Sequence, residues 1–518
     1  MFNRPTHPAT SFRLASCILR LLATGYWLLT TGFLTACSLD PETVLMETGL
    51  ITPTPTRDPF FHYRAALQPW ARGDVEAAGP LPSYHISATL DETGQTLQGL
   101  AQVTVPAPGA EVVFRLYPNL PNYGGASRIT TVRVNNSPAD VTSLADRAAI
   151  RLPLPAATTA LITIDLAFVI EVSGQRGLDE ANYTLFGWDG PILTLPGFYP
   201  TLAVRQGSEW TLDSPPAHGD VLYNEAALYQ LDLTLPRDLV VVASGVTLNV
   251  IDNPNGSRTW QIVGGPLRDM TVIAGPFQAV SENAAGATVT SYYLPGHEAA
   301  ARIVLAHATA SLRLYSDTFG FYPYTELDVV EAPLNFRGME YSGLVLIGED
   351  LYKGDQREAA AVSSRDGLAF LVAHEVAHQW WYGVVGNNPY QHPWLDEGLT
   401  EYSTFDYYRS VFGENEAQRL MTARWLIPFD SAAGSLDGMV DRPAAAFDPA
   451  SYELLVYAKA ALFFNALREQ LGEVMYRQVL QTYYLENRYK VVTPQTFLVT
   501  AQRVSGENLN PLAEAWLR

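Results

Sequence analysis

The chain has 518 residues, of which 47% are hydrophobic and 17% are charged, and its formal net charge at pH 7 is −20. That length corresponds to about two to four domains. The apolar fraction is high enough to bury sizeable cores, which excludes wholesale disorder. Binding through phosphate contacts requires basic surfaces, so the acidic balance argues against a nucleic-acid partner.

The N-terminus has the pattern of an exported protein, because arginines precede an apolar run with no acidic residue among them. The run ends in Leu34-Thr35-Ala36-Cys37, which resembles the bacterial lipobox. We therefore expect residues 1–36 to be a lipoprotein signal peptide and Cys37 to carry lipid, whose buried CH₂ groups anchor a chain to a membrane. The alternative is an uncleaved signal anchor, for which the run is barely long enough to span a bilayer.

The two cysteines, Cys17 and Cys37, exclude a disulfide framework, a four-cysteine iron–sulfur site and a cysteine-rich zinc site. Downstream lies Thr52-Pro53-Thr54-Pro55-Thr56, and such runs favour extended conformations. We predict a lipid-anchored, Thr/Pro-rich stalk over residues 37–78. The protein is accordingly expected in the cell envelope, extracytoplasmic and held at a membrane through its lipid.

The rest of the sequence divides into two parts, which predicts an α+β multidomain fold. Residues 79–280 consist of short alternating runs punctuated by Gly, Pro and Asn, which indicates an antiparallel β-domain with a hairpin turn at 252–256. Residues 281–518 are predicted to be mostly helical, with helices at 298–319, 359–382, 397–412, 452–471 and 473–487.

The segment His374-Glu375-Val376-Ala377-His378 carries the strongest chemical signal. On a helix, residues four apart lie on one face, so both imidazoles reach the same metal ion. Glu375 lies between them, where it can take a proton from water. The alternative is a chance match within a core helix.

A third metal ligand is predicted eighteen intervening residues after His378, at Glu397. Two histidines and a glutamate leave a fourth tetrahedral position open, which is the arrangement of a catalytic zinc ion. Asp396 and Glu401 are the nearby alternatives. Glu401 also has two other interpretations: it orients a ligand histidine, or it is an acid on the protein surface.

These residues resemble the gluzincin aminopeptidase family, which includes membrane alanyl aminopeptidase and leukotriene hydrolase. The spacing to Glu397 is typical of that family. The segment Gly338-Met339-Glu340-Tyr341 is similar to the family's Gly-Ala-Met-Glu-Asn exopeptidase motif, with Gly338 in place of Ala and Tyr341 in place of Asn. The resemblance implies that Glu340 binds the free α-amine of a substrate.

A second flanking feature, Tyr457-Ala458-Lys459-Ala460, is similar to the family's Tyr-x-Lys-Gly, with Ala460 in place of Gly. The resemblance implies that the Tyr457 hydroxyl donates a hydrogen bond to the oxyanion of the reaction. Tyr452 is the nearest alternative.

The resemblance spans residues 80–518 and implies a thermolysin-like zinc peptidase domain over residues 281–518. It further implies one Zn²⁺ ion, Glu375 as general base, and peptide substrates with a free N-terminus. Since the chain stops at Arg518, the family's additional C-terminal helical domain is expected to be absent. Two rival interpretations stay open: a thermolysin-type endopeptidase, and a catalytically silent surface binding protein on the same scaffold.

Overall fold

The computed structural model describes residues 58–518 apart from 107–108, 122, 155–160, 173–185, 217, 335–336, 354–366 and 433–437. The predicted signal peptide, the lipidation site at Cys37 and the first part of the stalk lie outside the described residues. Within the described part, no helix is both long and apolar enough to cross a membrane.

The packed structure begins earlier than the sequence suggested, at Pro59. Tyr63, Leu67 and Val75 are buried in the main hydrophobic core. The predicted stalk, residues 37–78, is therefore wrong over residues 59–78. The Thr/Pro run ends before this point, and the apolar residues that follow it gain more free energy by packing than by staying in water.

The large sheet explains the alternating pattern of the first half. Among the described residues, eight strands form it, and along Ser83–Leu90 alternate side chains are buried. The pairing is antiparallel as predicted, except that Ser83–Leu90 and Ala227–Pro236 run parallel. In spatial order the strands are Val246–Asp252, Ser257–Leu267, Ala227–Pro236, Ser83–Leu90, Thr96–Val105, Ile162–Val172, Gly125–Val134 and Ser137–Pro138.

Smaller sheets complete this half, and the predicted hairpin is present because Asp252 pairs with Arg258 across the turn. One four-stranded sheet has the order Val240–Ala243, Val272–Gly275, Ile192–Leu195 and Gly187–Asp189. Another has the order Thr201–Leu202, Glu111–Arg115, Ala149–Pro153 and Thr142–Leu144.

The second half joins a five-stranded sheet to a set of helices, which gives the α+β class. Its sheet starts at Gln278, three residues before the predicted boundary, in the order Gln278–Ala284, Ala287–Tyr293, Glu326–Ala332, Leu344–Gly348 and Gly338–Tyr341. The principal helices are Glu298–Thr318, Leu368–Ala377, Trp394–Val411, Glu414–Met421, Ile427–Ala432, Pro449–Tyr452, Ala460–Leu471, Glu473–Asn487, Pro494–Ser505 and Asn510–Leu517.

The helix that carries the two histidines, Leu368–Ala377, ends before the predicted residue 382. Tertiary hydrogen bonds account for the early end. The Trp380 indole N–H donates to the carbonyl of Gly320 at 2.8 Å, and the Trp381 indole N–H donates to Ser403 Oγ at 3.1 Å. The backbone at Trp381 leaves the helical conformation as a result.

Candidate functional site

The structure brings the three predicted metal ligands together at the junction of two helices. His374 and His378 lie one turn apart with ring centroids 4.9 Å from each other. Their Nε2 atoms lie 3.3 Å and 3.5 Å from Oε2 of Glu397, which comes from the first turn of Trp394–Val411. One ligand atom from each residue lies within 4.8 Å of the others.

This donor set fits a zinc ion, because zinc is commonly bound by two imidazole nitrogens and one carboxylate. Burial lowers the pKa of His374, but the carboxylates of Glu397 and Glu401 outweigh that effect and raise its pKa to about 10. A ligating imidazole nitrogen must be unprotonated, so metal binding at His374 is expected to release a proton.

The orientation of His378 is fixed from its other ring nitrogen. Nδ1 lies 3.3 Å from the carbonyl oxygen of Trp381 and 3.2 Å from Oγ1 of Thr400. The chain departs from the helix at Trp381, so the irregular backbone there supplies the carbonyl. Such contacts direct the opposite nitrogen, Nε2, toward the metal position.

The two alternative ligands, Asp396 and Glu401, lie outside the group of close ligand atoms. Asp396 accepts a hydrogen bond from the backbone N–H of Glu397 at 2.8 Å and is not part of the ligand group. Glu401 is fully buried, so its interpretation as a surface acid is wrong. Its Oε2 lies 3.4 Å from Nδ1 of His374, and its carboxylate accepts hydrogen bonds from Arg424 and from the Trp425 indole.

Glu401→Gln is expected to weaken zinc binding by about 10–100-fold, the usual cost of losing an orienting partner of a ligand histidine. The reason is that a neutral amide no longer stabilises the charge on the histidine–metal unit. Asp406→Asn is the matched control, because Asp406 is a buried acid on the same helix that pairs with Arg468 and not with a ligand. Competition with a chromophoric chelator measures the zinc affinity, and equal losses in both variants would contradict the orienting role.

Glu375 lies beside the metal set on the same helix and is 5% exposed. Burial, the largest effect, raises the pKa of Glu375 to about 7, although His374 and His378 oppose the shift. A proton acceptor works best when its pKa lies near the working pH. Gly338 makes room for this carboxylate: a Cβ at Gly338 would lie 2.1 Å from Oε1 of Glu375.

A pair of buried carboxyl groups lines the same cavity as the metal set. Glu340 lies on the edge strand Gly338–Tyr341, and its carboxyl interacts electrostatically with that of Asp220, which comes from the first half of the chain. Burial and the neighbouring acids raise the pKa of Glu340 well above its usual range and that of Asp220 to about 6. The sequence prediction missed Asp220, because no motif links it to a residue 120 positions away.

Tyr457 completes the site from a third helical segment, Glu453–Lys459. Its hydroxyl donates to Oε1 of Glu397 at 2.7 Å. Tyr452, the alternative, packs its ring against that of Tyr457 at 5.8 Å. The three metal ligands, Glu375, the two buried carboxyl groups and both tyrosines line one cavity of about 370 Å³. The residues that form its walls are His218, Gly219, Asp220, Arg337, Gly338, Met339, Glu340, Phe370, Leu371, His374, Glu375, His378, Glu397, Arg424, Pro449, Tyr452, Glu453 and Tyr457.

Known proteins resemble this chain in both sequence and fold. Residues 304–516 match the peptidase family M1 domain. Aminopeptidase M1-D of Oryza sativa is 27% identical over 301 residues, and the match covers 56% of this chain and 34% of that protein. Aminopeptidase N of Acetobacter pasteurianus is 25% identical over 347 residues, covering 63% of this chain and 91% of that protein. The chain thus spans about a third of the length of its plant relatives.

The fold is also similar to that of a solved structure. The crystal structure of an M1 zinc metallopeptidase from Deinococcus radiodurans superposes with a TM-score of 0.63 at 18% identity, covering 84% of this chain and 93% of that one. The cofactor that this family and this donor set share is zinc. Residues 304–516 thus match the peptidase family M1 domain, and the chain is similar to aminopeptidases of this family in sequence and to an M1 zinc metallopeptidase in fold.

Proposed function

We propose that this protein is a zinc aminopeptidase that removes residues from the free N-terminus of peptides. The observation that carries the proposal is the pair of buried carboxyl groups, Asp220 and Glu340, next to Glu375 and the metal set. A substrate ammonium group that leaves water needs opposite charge and hydrogen-bond acceptors, and this pair supplies both. The names of the matched relatives support the proposal, as does a mutant of the Deinococcus radiodurans structural neighbour crystallised with a Tyr-Ser-Ala substrate.

The side chains divide the chemistry among them. A zinc ion held by the ligand set supplies Lewis-acid chemistry: it lowers the pKa of a water molecule to about 7 and polarises a carbonyl. Glu375 takes the proton of the attacking water and returns it to the leaving amine. Tyr457 donates its hydroxyl to the developing oxyanion. Glu340 and Asp220 hold the ammonium group, so the bond that reaches Glu375 is the first peptide bond.

The rival endopeptidase function does not use an amine site. An endopeptidase cleft has to admit uncharged backbone on both sides of the cleaved bond. Two buried acids at one end of the cavity would then be left without a substrate partner, and burying unpaired acids costs free energy. The pair therefore favours an exopeptidase.

The test is a panel of aminoacyl fluorogenic substrates, assayed with and without a chelator and beside N-acetylated copies. We expect turnover of the free-amine substrates, loss of turnover on chelation, and restoration by zinc. Acetylation removes the charge that the carboxyl pair binds, so the acetylated copies should remain uncleaved. Equal turnover of acetylated and free substrates would favour the endopeptidase.

Glu340→Ala is expected to lower kcat/KM for free-amine substrates by about 10–200-fold, because a hydrogen bond to a charged group contributes about 1.5–3 kcal/mol. The effect should appear mainly as a higher KM. Glu349→Ala is the matched control, since Glu349 follows a strand of the same sheet and pairs with Lys353 outside the cavity. Steady-state kinetics of both variants measure the effect, and an unchanged preference for free amines in Glu340→Ala would remove the role.

Gly338→Ala is expected to lower kcat by about 10–100-fold while leaving the zinc content unchanged, because small displacements of a catalytic group carry costs of this size. The added methyl group would push the Glu375 carboxylate away from its position. Gly73→Ala is the control, since a Cβ there meets no atom within 4 Å. Steady-state kinetics and metal analysis measure kcat and the zinc content of both variants. A wild-type kcat in Gly338→Ala would show that catalysis tolerates displacement of the Glu375 carboxylate.

We also propose that the protein is a lipoprotein of the cell envelope, extracytoplasmic and anchored at Cys37. The support is the lipobox-like sequence before Cys37 and the Thr/Pro run that follows it. In cells, Cys37→Ser is expected to move the protein from the membrane fraction to the soluble fraction, whereas Cys17→Ser should not. Mass spectrometry of the mature N-terminal peptide should find diacylglycerol on Cys37, and an unmodified Cys37 would overturn this proposal.

A further inference from the structure

Three aromatic side chains are exposed close to the point where the packed structure begins. Phe61, Trp70 and Phe321 have exposed fractions of 62%, 42% and 65%. Phe61 and Trp70 belong to one short segment, in which Nε of Arg64 donates to the carbonyl oxygen of Arg72 at 3.3 Å. The metal cavity includes none of the three aromatic residues, so the peptidase chemistry does not account for their exposure.

Contacts hold the two segments of this aromatic surface together. The ring centroids of Trp70 and Phe321 lie 5.8 Å apart. The backbone N–H of Gln68 donates to the carbonyl of Pro323 at 2.8 Å, and the Tyr484 hydroxyl donates to the carbonyl of Phe321 at 2.8 Å. Single exposed apolar residues are ordinary, whereas exposed apolar residues that lie together mark a site of interaction.

The charge around the aromatic surface differs from that of the chain as a whole. Residues 59–73 contain two arginines and no acid, although the net charge of the chain is −20. Residues 319–324, which include Phe321, are uncharged. The acids that follow the first segment, Asp74 and Glu76, form ion pairs with arginines. Anionic lipid headgroups repel acidic surfaces, so a face of this composition is suited to approach a membrane.

The position of the aromatic surface along the chain points to the membrane as its partner. The packed structure begins at Pro59, two residues before Phe61, and residues 38–57 lie between Cys37 and the described chain. Twenty extended residues reach at most about 60 Å. A tether of this kind keeps a surface at an effective concentration on the order of mM near the bilayer, so a few aromatic side chains are enough for docking.

We propose that Phe61, Trp70 and Phe321 form a membrane-docking surface, whose rings lie at the lipid interface while the lipid on Cys37 holds the protein to the bilayer. The proposal rests on the proposed lipid anchor. Aromatic rings suit this place, because tryptophan combines a large apolar body with a polar N–H and is enriched where a bilayer meets water. Docking gives the protein one orientation on the membrane, which a flexible stalk alone does not.

The test is quenching of tryptophan fluorescence by brominated lipids, with the protein purified from cells and incorporated into vesicles of phosphatidylethanolamine and phosphatidylglycerol. We expect brominated lipids to quench the wild type. Trp70→Phe should lose most of this quenching, because it keeps a ring in the surface and removes the emitting group. Trp210→Phe is the matched control, since Trp210 is a half-buried tryptophan outside the surface. An unquenched wild type, or a Trp70→Phe variant quenched like the wild type, would overturn the proposal.

The alternative partner is a second copy of this chain. Light scattering of the protein in detergent measures the oligomeric state of the wild type and of Trp70→Ser. We expect both to have the same state, because the surface binds lipid. A wild-type dimer that Trp70→Ser converts to a monomer, without quenching by brominated lipids, would assign the surface to self-association and overturn the proposal.

Mass spectrometry of the N-terminal peptide in the same samples separates docking from anchoring. Lipid on Cys37 without quenching would overturn the docking proposal and leave the anchor. Quenching of a protein that carries no lipid on Cys37 would support docking and overturn the anchor.

Discussion

Glu375→Gln is expected to lower kcat by about 10²–10⁴-fold, the range for losing a general base, while the protein keeps one zinc ion. The amide has the size and shape of the carboxylate, so the helix and the ligands His374 and His378 stay in place. It has no basic site for the proton of the attacking water. Burial raises the pKa of Glu375 to about 7, so the native group accepts and returns a proton near neutral pH.

Steady-state kinetics and metal analysis on the same preparation measure this effect. Retained zinc separates a lost base from a lost metal site. A Glu375→Gln variant that holds one zinc ion and turns over at the wild-type rate would remove the base assignment. If the wild type and the variant were equally inactive on every substrate, the silent binding-protein interpretation would gain support.

Tyr457→Phe is expected to lower kcat by about 10²–10³-fold with little change in KM, as for other lost oxyanion donors. The hydroxyl lies 2.7 Å from Glu397, so it is held next to the metal position. The ligand carboxylate of Glu397 accepts this bond, and the same hydroxyl is in place to donate to an oxyanion. The donor stabilises the transition state more than the bound substrate, so the loss falls on kcat.

Tyr452→Phe is the matched control, because it removes one hydroxyl from a neighbouring ring in the same cavity. We expect it to lower kcat by less than about 10-fold, since Tyr457, and not Tyr452, donates the hydrogen bond to Glu397. A large loss in Tyr452→Phe together with a small one in Tyr457→Phe would reverse the assignment. Both variants should bind zinc like the wild type.

Helix geometry made the pairing of His374 and His378 predictable, whereas Glu397, on another helix, was predicted from the spacing typical of the resembling family. Residues four apart on one helix necessarily share a face, which placed His374 and His378 together. The alternating strands and the hairpin turn at 252–256 were predictable for the same reason, since period and turn chemistry are local. Fold class therefore followed from local patterns.

Other parts of the site depend on contacts between distant segments. Asp220 reaches Glu340 only because a loop of the β-rich half packs over the edge strand of the other half. Glu401 is buried because Arg424 and Trp425 arrive from a later helical segment. Neither contact has a local sequence signal.

The length of the stalk was overestimated for a related reason. Composition identifies the Thr/Pro run, but it does not show where packing begins. Tyr63 and Leu67 join the core through contacts with strands far along the chain. The helix end near Trp381 was missed in the same way, because hydrogen bonds to Gly320 and Ser403 decide it.

The most direct test of aminopeptidase activity is mass spectrometry of one defined peptide of about ten residues, incubated with the zinc-loaded protein. The expected result is a ladder of products that lose residues from the N-terminus in order, with no ladder from the N-acetylated peptide or from the Glu375→Gln variant. Internal fragments that appear equally from the free and acetylated peptides would contradict the account.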